Sequence, residues 1–176
     1  MTVGEASDPT VSRTTGGDIA LDGLFTGMIG ALAVAVWFLI LDILAGRPLY
    51  TPALLGTVLL HGGQAVAQEV TIAALEVAAY TAFHFVAFLI VGLGFSYSMN
   101  LFEKFPITGF VLLVIFLCLQ LGFFVLDVVL GVEIMGLLRP WTVVVGNLLA
   151  AGTMGIYLWR RHPRIKQRLD HIWEGE

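Results

Sequence analysis

The sequence predicts an all-α integral membrane protein built as a four-helix bundle, and three observations support this prediction. Hydrophobic residues fill 58% of the 176 positions and charged residues only 12%, with a mean hydropathy of +0.91; a soluble domain is about half apolar and a quarter charged. Four apolar segments each reach the roughly 20 residues that a helix needs to cross a bilayer. Basic residues cluster directly after the last of these segments.

The distribution of basic residues predicts the orientation of the spans, because lysine and arginine near span ends are retained in the cytoplasm. The predicted spans cover residues 21–45, 77–99, 107–130 and 141–159. Arg47 and Arg139 fall on one side of the bilayer, and seven basic residues fall on the other: Arg13, Lys104, Arg160, Arg161, Arg164, Lys166 and Arg168. We expect a bacterial inner-membrane protein with both termini cytoplasmic, divided into a polar head (1–18), a four-span domain (19–160) and a basic tail (161–176).

The segment between the first two spans predicts a half-helix on the outer side. Thr51 followed by Pro52 is typical of a helix N-terminus with Thr51 as its cap, and Gly62 and Gly63 are typical of a helix end. The apolar stretch between them is too short to span, and it either lies at the surface or re-enters the membrane. From residue 64 onward the pattern predicts an unbroken helix to residue 99.

Small residues recur at helical spacing in three spans and predict which helices pack closely, since small side chains let backbones approach each other in lipid. They are Gly23, Gly27, Ala31 and Ala35 in the first span, Ala74, Ala78 and Ala82 in the second, and Gly146, Ala150, Ala151 and Gly155 in the fourth. The third span is bulky throughout. We expect it to lean on the other three and to turn a broad face to lipid or to a partner.

Ionisable side chains within spans are costly and indicate function by default, and here they gather toward the outer side. The candidate cluster consists of Asp42, Arg47, Glu69, Glu76, Asp127 and Arg139. One interpretation is structural, with Asp42 paired to Arg139 and Asp127 paired to Arg47. The other is a cation or proton site to which His61 also contributes. The sequence lacks the Glu-x-x-His pairs that are typical of metal sites in helical bundles.

His84 lies deep in the second span, on the same helix face as Glu76 and Tyr80. A neutral imidazole at this depth can bind a haem iron or a chlorophyll magnesium, which makes His84 a candidate pigment ligand. The alternative is a hydrogen bond to a neighbouring helix, which is also the role expected of Gln120 and Asn147.

The tail after Pro163 predicts a short amphipathic helix on the inner leaflet. Ile165, Leu169 and Trp173 fall on one face of this helix. The residues expected to bind anionic lipid, at about 1 kcal/mol each, are Arg160, Arg161, Arg164, Lys166 and Arg168. Docking against the cytoplasmic surface of a partner is the competing use of this segment.

One stretch of the sequence carries a longer signature, VWFLILDILAGRPLYTPALLG at residues 36–56. Its D-x-x-x-GRP-x-x-TP-x-LLG pattern is formed by Asp42, Gly46, Arg47, Pro48, Thr51, Pro52, Leu54, Leu55 and Gly56. The stretch resembles a family of uncharacterised small bacterial membrane proteins with four spans, as does the HF-x-x-F pattern of His84, Phe85 and Phe88. The resemblance covers about the first half of the chain. It implies no activity, but it implies that residues 47–56 form a defined structural element.

Three functional hypotheses follow, and none is enzymatic, because the sequence contains no nucleophile elbow, P-loop, dinucleotide fingerprint, zinc motif or cysteine pair. The first is a non-catalytic accessory subunit of a larger bacterial inner-membrane complex, respiratory or photosynthetic. Its partners would be membrane lipids and other membrane subunits, without nucleic acid. The second is a small cation or proton transporter or channel that uses the outer acidic cluster. The third is a haem- or chlorophyll-binding protein through His84, and no other cofactor is expected.

Overall fold

The computed structural model describes residues 16–63, 70–102, 108–130 and 138–161, and these residues form five α-helices and no strand. The helices are α1 (Gly16–Leu44), α2 (Tyr50–His61), α3 (Ala74–Phe102), α4 (Thr108–Leu130) and α5 (Pro140–Arg161). The all-α prediction is confirmed, and each predicted span coincides with one of the four long helices. The predicted amphipathic tail lies outside the described residues.

Three of the helices are long and apolar enough to cross a membrane: Gly16–Leu44, Ala74–Met99 and Pro140–Arg161. Large apolar side chains such as Phe25 and Ile90 are exposed on their outer faces. Exposed apolar surface of this extent marks a membrane interaction, so the structure indicates a membrane protein. In α4 the apolar segment Leu113–Gly122 is shorter than a span.

The central helix of the bundle is α1, which packs against α3 on one side and α5 on the other. It runs antiparallel to α3, because the Ser96 hydroxyl near the end of α3 donates a 2.6 Å hydrogen bond to the carbonyl of Ile19 near the start of α1. The two backbones touch at Gly27 and Gly92, and a Cβ on Gly27 would lie only 2.8 Å from the Cα of Leu89. The close packing predicted from the small residues of the first span is therefore confirmed.

Four helices enclose the main hydrophobic core, which consists of Ala31, Val34, Phe88, Phe95, Met99, Ile115, Leu119, Ala150, Ala151, Met154 and Leu158. The contribution of α4 is Ile115 and Leu119, and this helix contacts mainly α5. Its opposite face exposes Phe110, Leu117 and Phe124. The third predicted span thus leans on the bundle with a bulky face exposed, as expected.

The small residues of the second predicted span do not form a helix interface. Ala74, Ala78 and Ala82 are exposed and line an open groove on α3. The closest approach of α3 to α1 is instead at Gly92, where the absence of a side chain brings the two backbones together. The prediction that this alanine stripe packs against a helix was wrong.

The predicted unbroken helix from residue 64 was also wrong, because residues 70–73 are not helical and α3 begins at Ala74. Val70, Thr71 and Ile72 are β-branched, and such side chains lose rotamer freedom in a helix. The Ala73 carbonyl accepts the N–H of Val77 as the first turn of α3 closes.

Candidate functional site

The polar side chains of the bundle lie in three places. We call the end that contains Asp42, α2 and the start of α3 the Asp42 end. The opposite end, which contains the start of α1 and the last turn of α5, is the Asp22 end. His84 lies between the two.

At the Asp42 end, a buried carboxylate of α1 caps the N-terminus of α2. The Asp42 carboxylate accepts the backbone N–H of Thr51 at 2.7 Å and the Thr51 hydroxyl at 2.8 Å. The α2 helix begins at Tyr50, so Thr51 lies inside its first turn and is not the cap that the sequence predicts. The first N–H groups of a helix lack intrahelical partners and carry a partial positive charge, and both features stabilise an adjacent carboxylate.

The turn between α1 and α2 places Arg47 beside an aromatic ring. Gly46 and Leu49 both have positive φ angles, 71° and 66°, and that conformation is strained for leucine. The guanidinium carbon of Arg47 lies 3.9 Å from the centroid of the Tyr50 ring, a cation–π contact. The contact between Arg47 and Tyr50 therefore stabilises the turn.

The structure tests one of the two ion pairs expected in the outer cluster. Within the described ranges no ion pair joins Asp42 to Arg139, since Thr51 engages both oxygens of Asp42. Arg139 is exposed, and its carbonyl accepts the Thr142 hydroxyl. Glu69 and the side chain of Asp127 lie outside the described residues, so the pairing of Asp127 with Arg47 stays a prediction.

The α2 helix is a buried element of the Asp42 end. Leu54 and Leu55 pack with Leu138 and Val143 in a second hydrophobic cluster. Gly56 lies so close to α3 that a Cβ there would overlap the carbonyl oxygen of Glu76. The short helix predicted between the first two spans is confirmed, and Gly62 ends it with a φ of 77°; its position on the outer side stays a prediction.

His61 and Glu76 are brought together where α2 ends and α3 begins. The Nε2 atom of His61 lies 3.2 Å from Oε1 of Glu76, whose Oε2 is buried without a hydrogen bond from any described residue. Among the described residues no three His, Cys, Asp or Glu side chains group as metal ligands would. In the part of the chain that the structure describes, His61 and Glu76 therefore form a two-residue pair.

His84 makes a hydrogen bond between helices. Its Nε2 atom lies 3.2 Å from the carbonyl oxygen of Ala31 on α1; a carbonyl only accepts, so Nε2 carries the proton and Nδ1 is an acceptor. The imidazole stacks on Tyr80 at 5.7 Å and lies 4.7 Å from the Phe88 ring. The hydrogen-bonding role that the sequence offers for His84 is present, and pigment ligation stays a prediction.

Two cavities flank His84 and Tyr80. The α2 cavity, about 180 Å³, lies between α1, α2 and α3 and includes Asp42 and Thr51 in its wall. The α4 cavity, about 240 Å³, lies toward α4 and α5 and includes Cys118 and Asn147.

At the Asp22 end, an ion pair joins the first turns of α1 to the last turn of α5. The buried Asp22 carboxylate accepts hydrogen bonds from Nε of Arg161 at 2.9 Å and from Nη2 of Arg161 at 2.8 Å. The Tyr157 hydroxyl donates to the same carboxylate at 3.4 Å. Sequence reasoning missed Asp22. The available signal was an acid near one end of a predicted span, at the end of the bundle where most of the bases lie.

This ion pair changes the role of one residue among the expected lipid ligands. Arg161 binds Asp22, whereas its neighbour Arg160 is exposed and makes no ion pair with a described residue. The other three, Arg164, Lys166 and Arg168, lie outside the described ranges.

Two further hydrogen bonds tie α5 to the bundle. The Asn147 side-chain amide donates to the Gln120 side-chain carbonyl on α4, which confirms the interhelical role predicted for both residues. The Trp37 indole donates to the Thr142 carbonyl at 2.9 Å, and the Trp141 ring packs edge-on to Trp37 at 6.4 Å.

No family model matches this chain, and comparisons with curated proteins and with solved structures give no match.

Proposed function

We propose that this chain is a non-catalytic accessory subunit of a larger bacterial inner-membrane complex, respiratory or photosynthetic. The observation that carries the proposal is how its polar side chains are used. Asp42, Asp22, Asn147 and Trp37 each bind a group on a different helix. Side chains that hold helices together in this way serve a scaffold rather than a reaction.

The exposed face of α4 supports a docking role within such a complex. Its bulky side chains recur at helical spacing along one face: Phe110, Leu113, Leu117, Leu121 and Phe124. The helix contacts mainly α5, which leaves this face unpaired in the single chain. Large apolar anchors at i, i+3 and i+4 spacing are the pattern by which one helix packs against another.

The proposal includes a four-span topology with both termini in the cytoplasm. The 23 residues of α4 amount to about 34 Å at 1.5 Å per residue, which matches a hydrocarbon core of about 30 Å. The Asp22 end would then face the cytoplasm, where Arg160 and the basic tail meet anionic lipid.

Packing in the bundle favours the subunit over the transporter. Between His84 and Asp22 the interior is filled by Phe88, Phe95 and Met154, and the backbones of α1 and α3 touch there. The buried Thr26 hydroxyl in this stretch donates to the backbone carbonyl of Asp22, so the described interior offers an ion no continuous polar path there. Pigment binding is also less well supported, since His84 already donates to Ala31.

Site-specific photocrosslinking in native membranes tests the proposal. A benzophenone amino acid at Leu117, on the exposed face of α4, should give a discrete crosslinked protein band. The same probe at Val36, which is equally exposed on α1, is the matched control and should react mainly with lipid. If neither position captures a protein, the subunit proposal fails.

A further inference from the structure

The α2 cavity adjoins an open groove on the exposed side of α3. The groove has a volume of about 700 Å³, and Leu49, Val77, Thr81 and Phe85 belong to the walls of both spaces. These shared walls place the groove and the cavity beside His84 next to each other, so a molecule with a ring and a chain can contact both.

The size and the walls of the two spaces define the shape of a ligand. A cavity of about 180 Å³ exceeds the roughly 150 Å³ of an engineered apolar cavity that takes up benzene, so it admits one ring. Phe38, Tyr80 and Phe85 supply aromatic walls suited to stacked or edge-on ring contacts. Ala74, Ala78 and Ala82 form a smooth floor in the groove, and a flexible apolar chain can lie along it.

The polar groups of the cavity wall are the Asp42 carboxylate, the His84 imidazole and the hydroxyls of Thr51, Tyr80 and Thr81; the Tyr80 hydroxyl can donate as well as accept. The Thr51 hydroxyl already donates to Asp42, the Thr81 hydroxyl donates to the carbonyl of Val77, and Nε2 of His84 donates to Ala31. Lone pairs remain on Nδ1 of His84, on the Thr81 hydroxyl and on the Asp42 carboxylate. A ligand hydroxyl complements this wall, since it can donate to these acceptors and its oxygen can accept from the Tyr80 hydroxyl.

We propose that the α2 cavity and its groove bind a phenolic lipid, with an aromatic head that carries a hydroxyl and an apolar tail. The ring lies among the aromatic walls of the cavity and the hydroxyl donates to the acceptors of the wall. The tail follows the alanine floor of the groove out to the bilayer. The site is formed by this chain alone, so a test of ligand binding is independent of a test of the accessory role.

The test uses the full chain in phosphatidylcholine nanodiscs with radiolabelled para-dodecylphenol as the probe. Retention above that of empty nanodiscs should saturate at one probe per chain. Para-dodecylanisole keeps the shape but replaces the hydroxyl by a methyl ether, and we expect it to bind about tenfold more weakly because the donor is lost. Dodecanol keeps the donor and the tail without the ring and should also bind more weakly.

A matched pair of variants locates the site. Ala78→Phe fills the groove at an exposed position and should abolish saturable binding. Val86→Phe adds similar bulk at an exposed position of the same helix outside the groove and should leave binding unchanged. Absence of saturable binding, equal affinity for the anisole or for dodecanol, or normal binding by Ala78→Phe would each overturn the proposal.

Mass spectrometry of the lipid extracted with the protein from its own membranes distinguishes the possible sources of such a ligand. A co-purifying quinol and another phenolic lipid have different masses and both support the site. An extract that contains only phospholipid counts against it.

Discussion

At the scale of single residues, two buried carboxylates of α1 account for how charge is accommodated in an apolar bundle. Asp42 accepts hydrogen bonds from the backbone N–H and the hydroxyl of Thr51, and Asp22 accepts a hydrogen bond from the guanidinium of Arg161. An unpaired buried charge costs several kcal/mol, so each carboxylate stabilises the fold only through its partner. Each of these contacts also joins α1 to a different helix.

Replacement of the cap at the start of α2 should destabilise the protein measurably. Asp42→Ala leaves a buried N–H and a buried hydroxyl without an acceptor, and we expect a loss of about 2 kcal/mol in the free energy of unfolding in mixed micelles. Thr51→Val should lose less, because only the hydroxyl bond disappears. The double variant should lose less than the sum of the two, since both act on one contact.

A nearby threonine provides the control for the cap. The Thr57 hydroxyl donates to the Ala53 carbonyl within α2, so Thr57→Val should change stability little. An equal loss in Thr51→Val and Thr57→Val would show that the bond from the Thr51 hydroxyl to Asp42 contributes nothing beyond an ordinary intrahelical threonine bond.

The ion pair at the Asp22 end predicts different behaviour of two adjacent arginines. Arg161→Gln removes the partner of Asp22 and should lower the melting temperature in detergent, whereas Arg160→Gln should not. Added salt screens a partly exposed pair, so the difference between the two variants should shrink at high ionic strength. Equal melting temperatures at low salt would contradict the role assigned to Arg161.

The sequence predicts which single residues are unusual but not which partners they bind. The sequence identifies Asp42, His61 and Glu76 as unusual because charge in a span is costly. It does not identify the partner of Asp42, because a cap supplied by another helix leaves no local pattern. Thr51 next to Pro52 has the local features of a cap, and these features led to the wrong prediction. The cap is supplied by Asp42 of α1 instead.

At the scale of elements, α2 and α3 fit together at a contact that only glycine permits. Gly56 lies against the backbone of Glu76, whereas a Cβ on Gly152 of α5 would meet no atom within 4 Å. The start of α3 is thus fixed by packing against α2 as well as by the β-branched residues before it.

Two alanine substitutions with opposite expected signs test this contact. In a helix, Gly→Ala stabilises by up to about 1 kcal/mol through propensity. Gly152→Ala should show this gain, while Gly56→Ala should instead destabilise by about 1–3 kcal/mol, because the added methyl overpacks the interface. The comparison is made by unfolding in mixed micelles, and a gain in both variants would contradict the close approach of α2 to α3.

The elements differ in how well the sequence predicts them. Apolar length predicts the four long helices, and Gly62 predicts the end of α2. The face that each helix buries is harder to predict, since small residues on α1 pack against α3 while Ala78 and its neighbours on α3 line a groove. Composition permits close approach at both places, and only the three-dimensional arrangement selects one.

At the scale of the whole molecule, the proposed topology places the Asp22 end and the Asp42 end on opposite sides of one bilayer. The antiparallel contacts of α1 with α3 and α5 separate these ends. The distribution of basic residues predicts that the Asp22 end is the cytoplasmic one.

Labelling with a membrane-impermeant maleimide tests the topology. In a Cys118→Ala background, single cysteines at Ser7, Glu174 and His61 should divide into two classes. His61→Cys should react in intact cells with only the outer membrane permeabilised, and Ser7→Cys and Glu174→Cys should react only after the inner membrane is opened. Labelling of all three in intact cells would contradict the four-span arrangement.

Purification from native membranes is the decisive test of the proposed role as one subunit of a larger membrane assembly. The protein, tagged and expressed at its native level, is extracted in mild detergent, and the proteins that co-migrate with it are identified by mass spectrometry. We expect a stable, stoichiometric set of partner subunits, which a benzophenone at Leu117 crosslinks to the chain. A monodisperse species containing this chain alone would contradict it.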